Sequence, residues 1–148
     1  MAIVKTAEMT GLQPVVNPDE AGEVYEITFK IDPAVTPVSS GDFVQLMQVP
    51  ADCVLTDIVL GAPATLGAVT VAAGIADAAS TTALATTYIA AGTITSTVPV
   101  RANATILADT PVSNPTVNQR IVTLAIAAAN LAAVVYAKVS YRAARYGK

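Results

Sequence analysis

Val24-Tyr25-Glu26-Ile27-Thr28-Phe29-Lys30-Ile31 decides the fold class, because Tyr25, Ile27, Phe29 and Ile31 alternate with Glu26, Thr28 and Lys30. Alternation with a period of two is what a strand with one buried and one wet face requires. Asp32-Pro33 ends the run, and Pro37 to Asp42, with Ser39-Ser40-Gly41-Asp42, carries the chemistry of a polar turn. Phe43 to Val49 reads as the next strand, with Phe43, Gln45, Met47 and Val49 on one side and Val44, Leu46 and Gln48 on the other. Pro50-Ala51-Asp52 then leads into a strand from Val54 to Leu60, stopped by Gly61-Ala62-Pro63. Two runs joined this way are either adjacent strands or one bent strand crossing between sheets.

Ala68 to Ala73 predicts a further strand ended by Gly74. Ala76 to Tyr88 has helix formers at its centre and Asp77 or Ser80 as N-caps, but its threonines oppose a long helix, so a short helical turn or ordered loop is expected. Thr93 to Val100 and Ala104 to Leu107 return to strand composition around a bend at Arg101-Ala102-Asn103, and Asp109 to Asn118 is a loop. The chain closes with Ile121 to Ala127 and Ala133 to Arg142, the second placing Val135, Ala137, Val139 and Tyr141 on one face and Tyr136, Lys138, Ser140 and Arg142 on the other. A single alanine-rich helix across 121–137 is the alternative. β-Branched residues at both ends and Asn130 at the middle favour two strands joined as a hairpin.

About eight strands with short connections and little helix point to an all-β fold, a jelly-roll β-sandwich. The expected organisation is an extended N-terminal arm over 1–22, a sandwich over 23–142 with one short helical or loop insertion, and a basic C-terminal tail over 143–148. The arm is punctuated by Pro14, Asn17-Pro18 and Gly22, and is expected to lie on a neighbour rather than in the core.

Apolar residues make up 53% of the 148 and charged residues only 13%, well below the roughly 25% of ordinary soluble domains. Much of the apolar content is alanine, so the core should be thin and contacts with other subunits should supplement it. The uncharged, apolar-rich stretch Ile121 to Ala137 sits at the bottom of the roughly 17–25 residues that a membrane span needs, and no membrane association is expected. The first ten residues lack the apolar core of a secretory signal, which suggests synthesis in a cytoplasm. Charge is uneven: residues 138–148 carry Lys138, Arg142, Arg145 and Lys148 with no acid, leaving 1–137 at −7. That basic end is either a solvated tail or a surface that docks on an acidic neighbour. Nucleic acid is a poor partner for an acidic chain in which basic and aromatic residues do not interleave.

The sequence holds no histidine, no tryptophan and one cysteine. Cys53 has no disulfide partner and no histidine base, and reads as a buried small hydrophobe. Asp52 and Asp57 flank it without a cation close in sequence, and the cluster Asp19, Glu20, Glu23 matches no calcium-loop spacing. Zinc ligands and glycine-rich phosphate loops are missing from the sequence, so neither cofactor nor catalysis is expected.

Several phrases nevertheless carry a resemblance: Phe43 to Leu60 (FVQLMQVPADCVLTDIVL), Ala68 to Gly74 (AVTVAAG), Arg120 to Ile126 (RIVTLAI) and Ala137 to Arg142 (AKVSYR). Together they resemble the jelly-roll capsid decoration, or cement, proteins of tailed bacteriophages, over about residues 24–142. The resemblance implies a homotrimer on the outside of the head that clamps neighbouring subunits of the major capsid protein. On charge and flexibility, Lys5, Lys138, Arg142, Arg145 and Lys148 are the expected capsid or subunit contacts. Two other readings share the composition. One is a receptor- or glycan-binding jelly roll of a head fibre or tail appendage, for which Tyr88 is the central aromatic candidate; the other is a tail-tube or nanocompartment shell protein.

Overall fold

A computed structural model describes residues 2–6, 9, 24–76, 84–95, 98–102 and 120–143. Among the described residues nine strands are found: β1 Ile3–Lys5, β2 Val24–Ile31, β3 Phe43–Gln48, β4 Cys53–Gly61, β5 Thr70–Ala76, β6 Thr86–Gly92, β7 Val100–Arg101, β8 Ile121–Ala127 and β9 Val135–Ala143. They form a five-stranded sheet in the order β1-β3-β8-β5-β6 and a four-stranded sheet in the order β2-β9-β4-β7. Setting β1 aside, the orders 3-8-5-6 and 2-9-4-7 are the two interleaved Greek keys of a jelly roll. The all-β, jelly-roll expectation is met. No helix among the described residues is long and apolar enough to cross a membrane.

The core lies between the sheets. Phe29 and Ile31 of β2, Leu55, Ile58 and Leu60 of β4, and Val135, Ala137, Val139 and Tyr141 of β9 face Val44 and Leu46 of β3, Val71 and Ala73 of β5, and Val122 and Leu124 of β8. β2 shows the alternation that its sequence announced, with Val24, Glu26, Thr28 and Lys30 exposed. β3 and β5 are instead almost wholly buried, which is why their sequences are apolar on both faces.

Pro50-Ala51-Asp52 is a corner between sheets. β3 and β4 lie in different sheets, the amide of Cys53 donates to the carbonyl of Pro50 at 3.3 Å, and Asp52 takes the positive φ (56°) that turns the chain. Of the two readings of this link, the crossing strand is the one realised.

The closing pair is not a hairpin. β8 pairs with β3 and β5 while β9 pairs with β2 and β4, so residues 128–134 arch from one sheet to the other. Each strand thereby gains a partner on both sides, whereas a hairpin would give each only one from the other. The arch is pinned to the loop before β3: the Ser40 amide donates to Asn130 Oδ1 at 2.9 Å and the Leu131 amide to the Val38 carbonyl at 3.0 Å. Asn130 thus caps a neighbouring loop rather than forming a hairpin turn. The left-handed residue is Ala128 (φ 67°).

Three further boundaries move. β5 continues through Gly74 to Ala76, so the glycine does not end it. Thr86 to Tyr88, expected in a helical or loop segment, belong to β6, which pairs with β5; residues 77–83 lie outside the described residues. The strand expected over Thr93 to Val100 is reduced to the two-residue β7, held to β4 by the 3.1 Å Arg101–Asp57 ion pair and by the Ala102 amide donating to the Ile58 carbonyl. The strand expected at Ala104 to Leu107 and the loop over 109–118 lie outside the described residues.

β1, within the stretch read as an arm, adds a parallel strand to the edge of β3, pairing Ile3 with Phe43, Val4 with Val44 and Lys5 with Gln45. Asp42 secures it. The carboxylate accepts from the amides of Ser39 (2.8 Å) and Ala2 (2.6 Å), and these hydrogen bonds hold its pKa below the usual carboxylate value. A depressed carboxylate pKa favours the folded state above the unfolded value of about 3.9, and that contribution is lost as pH falls through the lower folded value. Asp42→Ala is therefore expected to cost about 2 kcal/mol at pH 7, with the gap between variant and parent closing toward pH 2. Urea unfolding across that range measures it; a gap that does not change with pH would show that the carboxylate charge is not what holds β1.

Candidate contact surface

β9 is the middle of the four-stranded sheet, and its alternation sends Tyr136, Lys138 and Arg142 outward while Val135, Ala137, Val139 and Tyr141 fill the core. The registers set out four rows across the outer face. Lys30, Tyr136 and Gly61 form one; Thr28, Lys138 and Val59 the next; Glu26, Ser140 and Asp57 the third; and Val24, Arg142 and Val54 the last. Arg101 stands opposite Val59 on β7.

Four cations, Lys30, Arg101, Lys138 and Arg142, meet two acids, Glu26 and Asp57, on these rows. Lys138 reaches Glu26 at 3.3 Å, and the Ser140 hydroxyl donates to the same carboxylate at 3.1 Å. Lys30 turns to Asp32 at 3.0 Å, just past the end of the strand; their hydrogen bond raises the lysine pKa and lowers that of the aspartate. Among the described residues no ion pair involves Arg142. Pairs this exposed add little stability, and with Asp32 counted the four cations against three acids leave the face only slightly positive on a chain that is acidic overall. Apolar side chains interrupt the polar surface: Val24, 52% exposed beside Arg142, and Tyr136, 41% exposed beside Lys30, with Val54 and Val59 half-buried among them. Tyrosine and arginine on an exposed face are the residue types enriched where proteins meet.

The sequence-named contact residues divide accordingly. Lys138 and Arg142 share this face. Lys5 does not: it is exposed on β1, at the edge of the other sheet, beside a groove of about 400 Å³ lined also by Val4, Phe29, Lys30 and Val35. Arg145 and Lys148 lie outside the described residues. Val24, Lys30, Arg101 and Tyr136 were not named from the sequence. The alternation of β2 and β9 held the signal for three of them, and Arg101 is placed here only by its pairing with β4.

The Cys53 thiol is fully buried and burial raises its pKa, while Asp57 faces outward to Arg101. Among the described residues no three His, Cys, Asp or Glu side chains gather to hold a metal ion; Asp19, Glu20 and Glu23 lie outside them. Tyr88 is 5% exposed and packs in the core, so it cannot serve as a sugar-stacking platform.

No protein-family model and no curated protein sequence matches this chain. Its fold matches chains of solved structures, among them three from phage capsids. A chain in the capsid of Ralstonia phage GP4 superposes with a TM-score of 0.70 at 21% identity, covering 95% of this chain and 97% of that one. One in the capsid asymmetric unit of cyanophage Pam1 gives 0.51 at 15% identity, covering 88% and 91%. One in the acid-stable capsid of Helicobacter pylori bacteriophage KHP30 gives 0.52 at 13% identity, covering 84% and 91%. What is shared at these identities is the fold.

Proposed function

We propose that this chain is a structural protein of a phage virion, a decoration or cement protein that binds the outside of the head and stabilises the lattice of the major capsid protein. The observation that carries the reading is the likeness in fold to chains of three phage capsids, over 84–95% of this chain. The side chains agree with it. A scarcity of charge, a core of small residues and an outer sheet face that mixes Tyr136, Val24 and cations suit a protein that works by contact. A binder that recognises only the assembled shell adds its binding free energy to that shell, and many symmetric copies make weak single contacts sufficient.

In this reading the protein is a homotrimer, made in the host cytoplasm and then carried on the capsid exterior. The outer face of β2-β9-β4-β7 meets an acidic stretch of the major capsid protein, and Arg145 and Lys148 extend the basic surface. Lys5, on a different edge, serves contacts between subunits.

The test is addition of purified protein to undecorated heads. Lys138→Glu with Arg142→Glu should weaken attachment on the order of tenfold at low salt, with the loss shrinking as ionic strength rises. Removal of residues 144–148 should act in the same direction. Unchanged decoration by both variants at every ionic strength would show that this face is turned away from the shell.

A further inference from the structure

β2 is the outermost strand of its sheet: among the described residues it pairs with β9 on one side and with no strand on the other. Free edges are usually blunted by a bulge, a proline or a short strand, because unpaired backbone groups are a template for another chain. β2 has none of these devices. It runs for eight residues without proline, and its ladder with β9 is unbroken, whereas the ladders β3–β8, β4–β9 and β5–β6 each shift register. Tyr25 and Ile27 point toward the core yet are only half-buried, so this edge leaves apolar area uncovered. Along its other half, a groove of about 400 Å³ separates residues 28–31 from Val4 and Lys5 of β1, and Val35 on its lining is 80% exposed.

The edge is complementary to itself. Laid antiparallel on a second copy with Thr28 opposite the partner's Thr28, it sets Glu26 opposite the partner's Lys30 and Lys30 opposite the partner's Glu26; on the inner face Ile27 meets Phe29 and Tyr25 meets Ile31. Opposite charges, facing threonines and aromatic side chains beside β-branched ones are the cross-strand pairs that stabilise a sheet. Other registers do worse. A slip of one residue sets wet side chains against apolar ones. A slip of two puts Glu26 opposite Asp32 in one direction, and in the other puts Glu26 opposite Thr28 and Lys30 opposite Val24, so the charge pairs are lost either way. Neither charge is committed elsewhere: both contacts of Glu26, from Lys138 and Ser140, fall on Oε1, and the Lys30–Asp32 pair is an exposed one of little strength.

We propose that β2 is a two-fold contact between copies: the β2 edge of one chain pairs antiparallel with the β2 edge of another about an axis at Thr28, joining their four-stranded sheets into one continuous sheet. The occupant is a second copy because the register that neutralises the charges of this edge is the one it makes with itself. Such a contact closes on itself, so in a trimeric protein it links a chain of one trimer to a chain of the next. The inference goes beyond the head-decoration reading and stands apart from it, since it concerns only contacts between copies.

Cysteine pairing on the purified protein tests it, with the parent, whose one thiol is the buried Cys53, as background. Thr28→Cys, gently oxidised, should run as a covalent dimer on a non-reducing gel, because the two copies of residue 28 face each other within disulfide reach. Lys30→Cys alone should not, since its two copies lie about 13 Å apart along the paired strands. Glu26→Cys and Lys30→Cys in separate chains, one of them tagged, should cross-link when mixed; both positions are exposed, so the fold does not depend on them. A charge test needs no thiol: Glu26→Lys should weaken self-association on the order of tenfold at low salt, and Glu26→Lys with Lys30→Glu should restore it. No covalent dimer from Thr28→Cys, equal dimer from Thr28→Cys and Lys30→Cys, or association that the double reversal does not restore would each overturn the proposal. So would a photoreactive residue at position 28 that cross-links on assembled particles to another protein and never to its own copy.

Discussion

Gly74→Ala should be the most damaging alanine substitution among the described glycines, costing about 3 kcal/mol or more and lowering the melting temperature by on the order of 10 °C. Gly74 lies inside β5, opposite Thr123 of β8 on one side and Thr87 of β6 on the other. The β5–β6 ladder breaks register at this point, between Ala73 and Gly74, and the shift carries the β6 backbone over the glycine. A Cβ here would stand 2.0 Å from the Thr86 carbonyl oxygen and 3.0 Å from the Thr87 Cα. Both are backbone atoms, so no rotamer change relieves the overlap, and β6 must detach or shift as a whole. Because β6 is an edge strand, the expected product is a sandwich that keeps its central strands and loses protection on β6. Thermal unfolding followed by circular dichroism, with hydrogen exchange on the β6 amides, measures both effects. A variant as stable as the parent would mean that the bulge is absent and that β5 and β6 pair regularly. Gly61→Ala, where an added Cβ meets nothing within 4 Å, is the matched control.

The same glycine shows where reading the sequence stops. As a letter in an apolar run it signals a strand end, because glycine is a weak strand former. Its role here is set by a neighbour a dozen residues away whose register the local pattern cannot report. The elements that were legible are those whose information is local. β2 and β8 match their expected spans because one alternates cleanly and the other is a run rich in β-branched residues that follows the polar Asn118-Gln119-Arg120. Which strands pair was not legible. The stretch 121–143 holds two strand patterns around Asn130, which suits a hairpin and an arch equally; the choice falls to β2 and β4, whose eight-pair registers with β9 outcompete pairing with β8.

The candidate surface follows the same division. That Lys138 and Arg142 share a face comes from period-two geometry along one strand, and the structure bears it out. Adding Lys30 and Arg101 needs the order of the strands, and detaching Lys5 needs the fact that β1 joins the other sheet. Cationic residues summed along the sequence give a charge, and only the topology turns it into a patch.

Tyr141→Ala is expected to cost about 3–5 kcal/mol, as large aromatic truncations in a closed core do. Tyr141 is fully buried near the C-terminal end of β9, paired with Tyr25 on β2 and Leu55 on β4, and its ring stacks on Tyr25 with centroids 6.1 Å apart. Few side chains of this size are present in a sequence with five tyrosines, two phenylalanines and no tryptophan, so small neighbours such as Ala137 and Val139 cannot collapse into the space left behind. Tyr141→Phe keeps the ring and should cost far less at neutral pH. The two variants also separate at high pH. Burial pushes the Tyr141 hydroxyl up to about 12, so the folded state retains a proton that the unfolded chain releases near 10. A raised pKa gives stability that is complete below the unfolded value and is lost as pH climbs through the folded one, a decline on the order of 1–2 kcal/mol between pH 10 and 12. The parent should lose that increment over this window, and Tyr141→Phe, having no proton to release there, should lose less. Guanidinium unfolding at pH 8, 10 and 12 measures the slopes; equal slopes for parent and Tyr141→Phe would place the hydroxyl in contact with water and reduce its role to that of the ring alone.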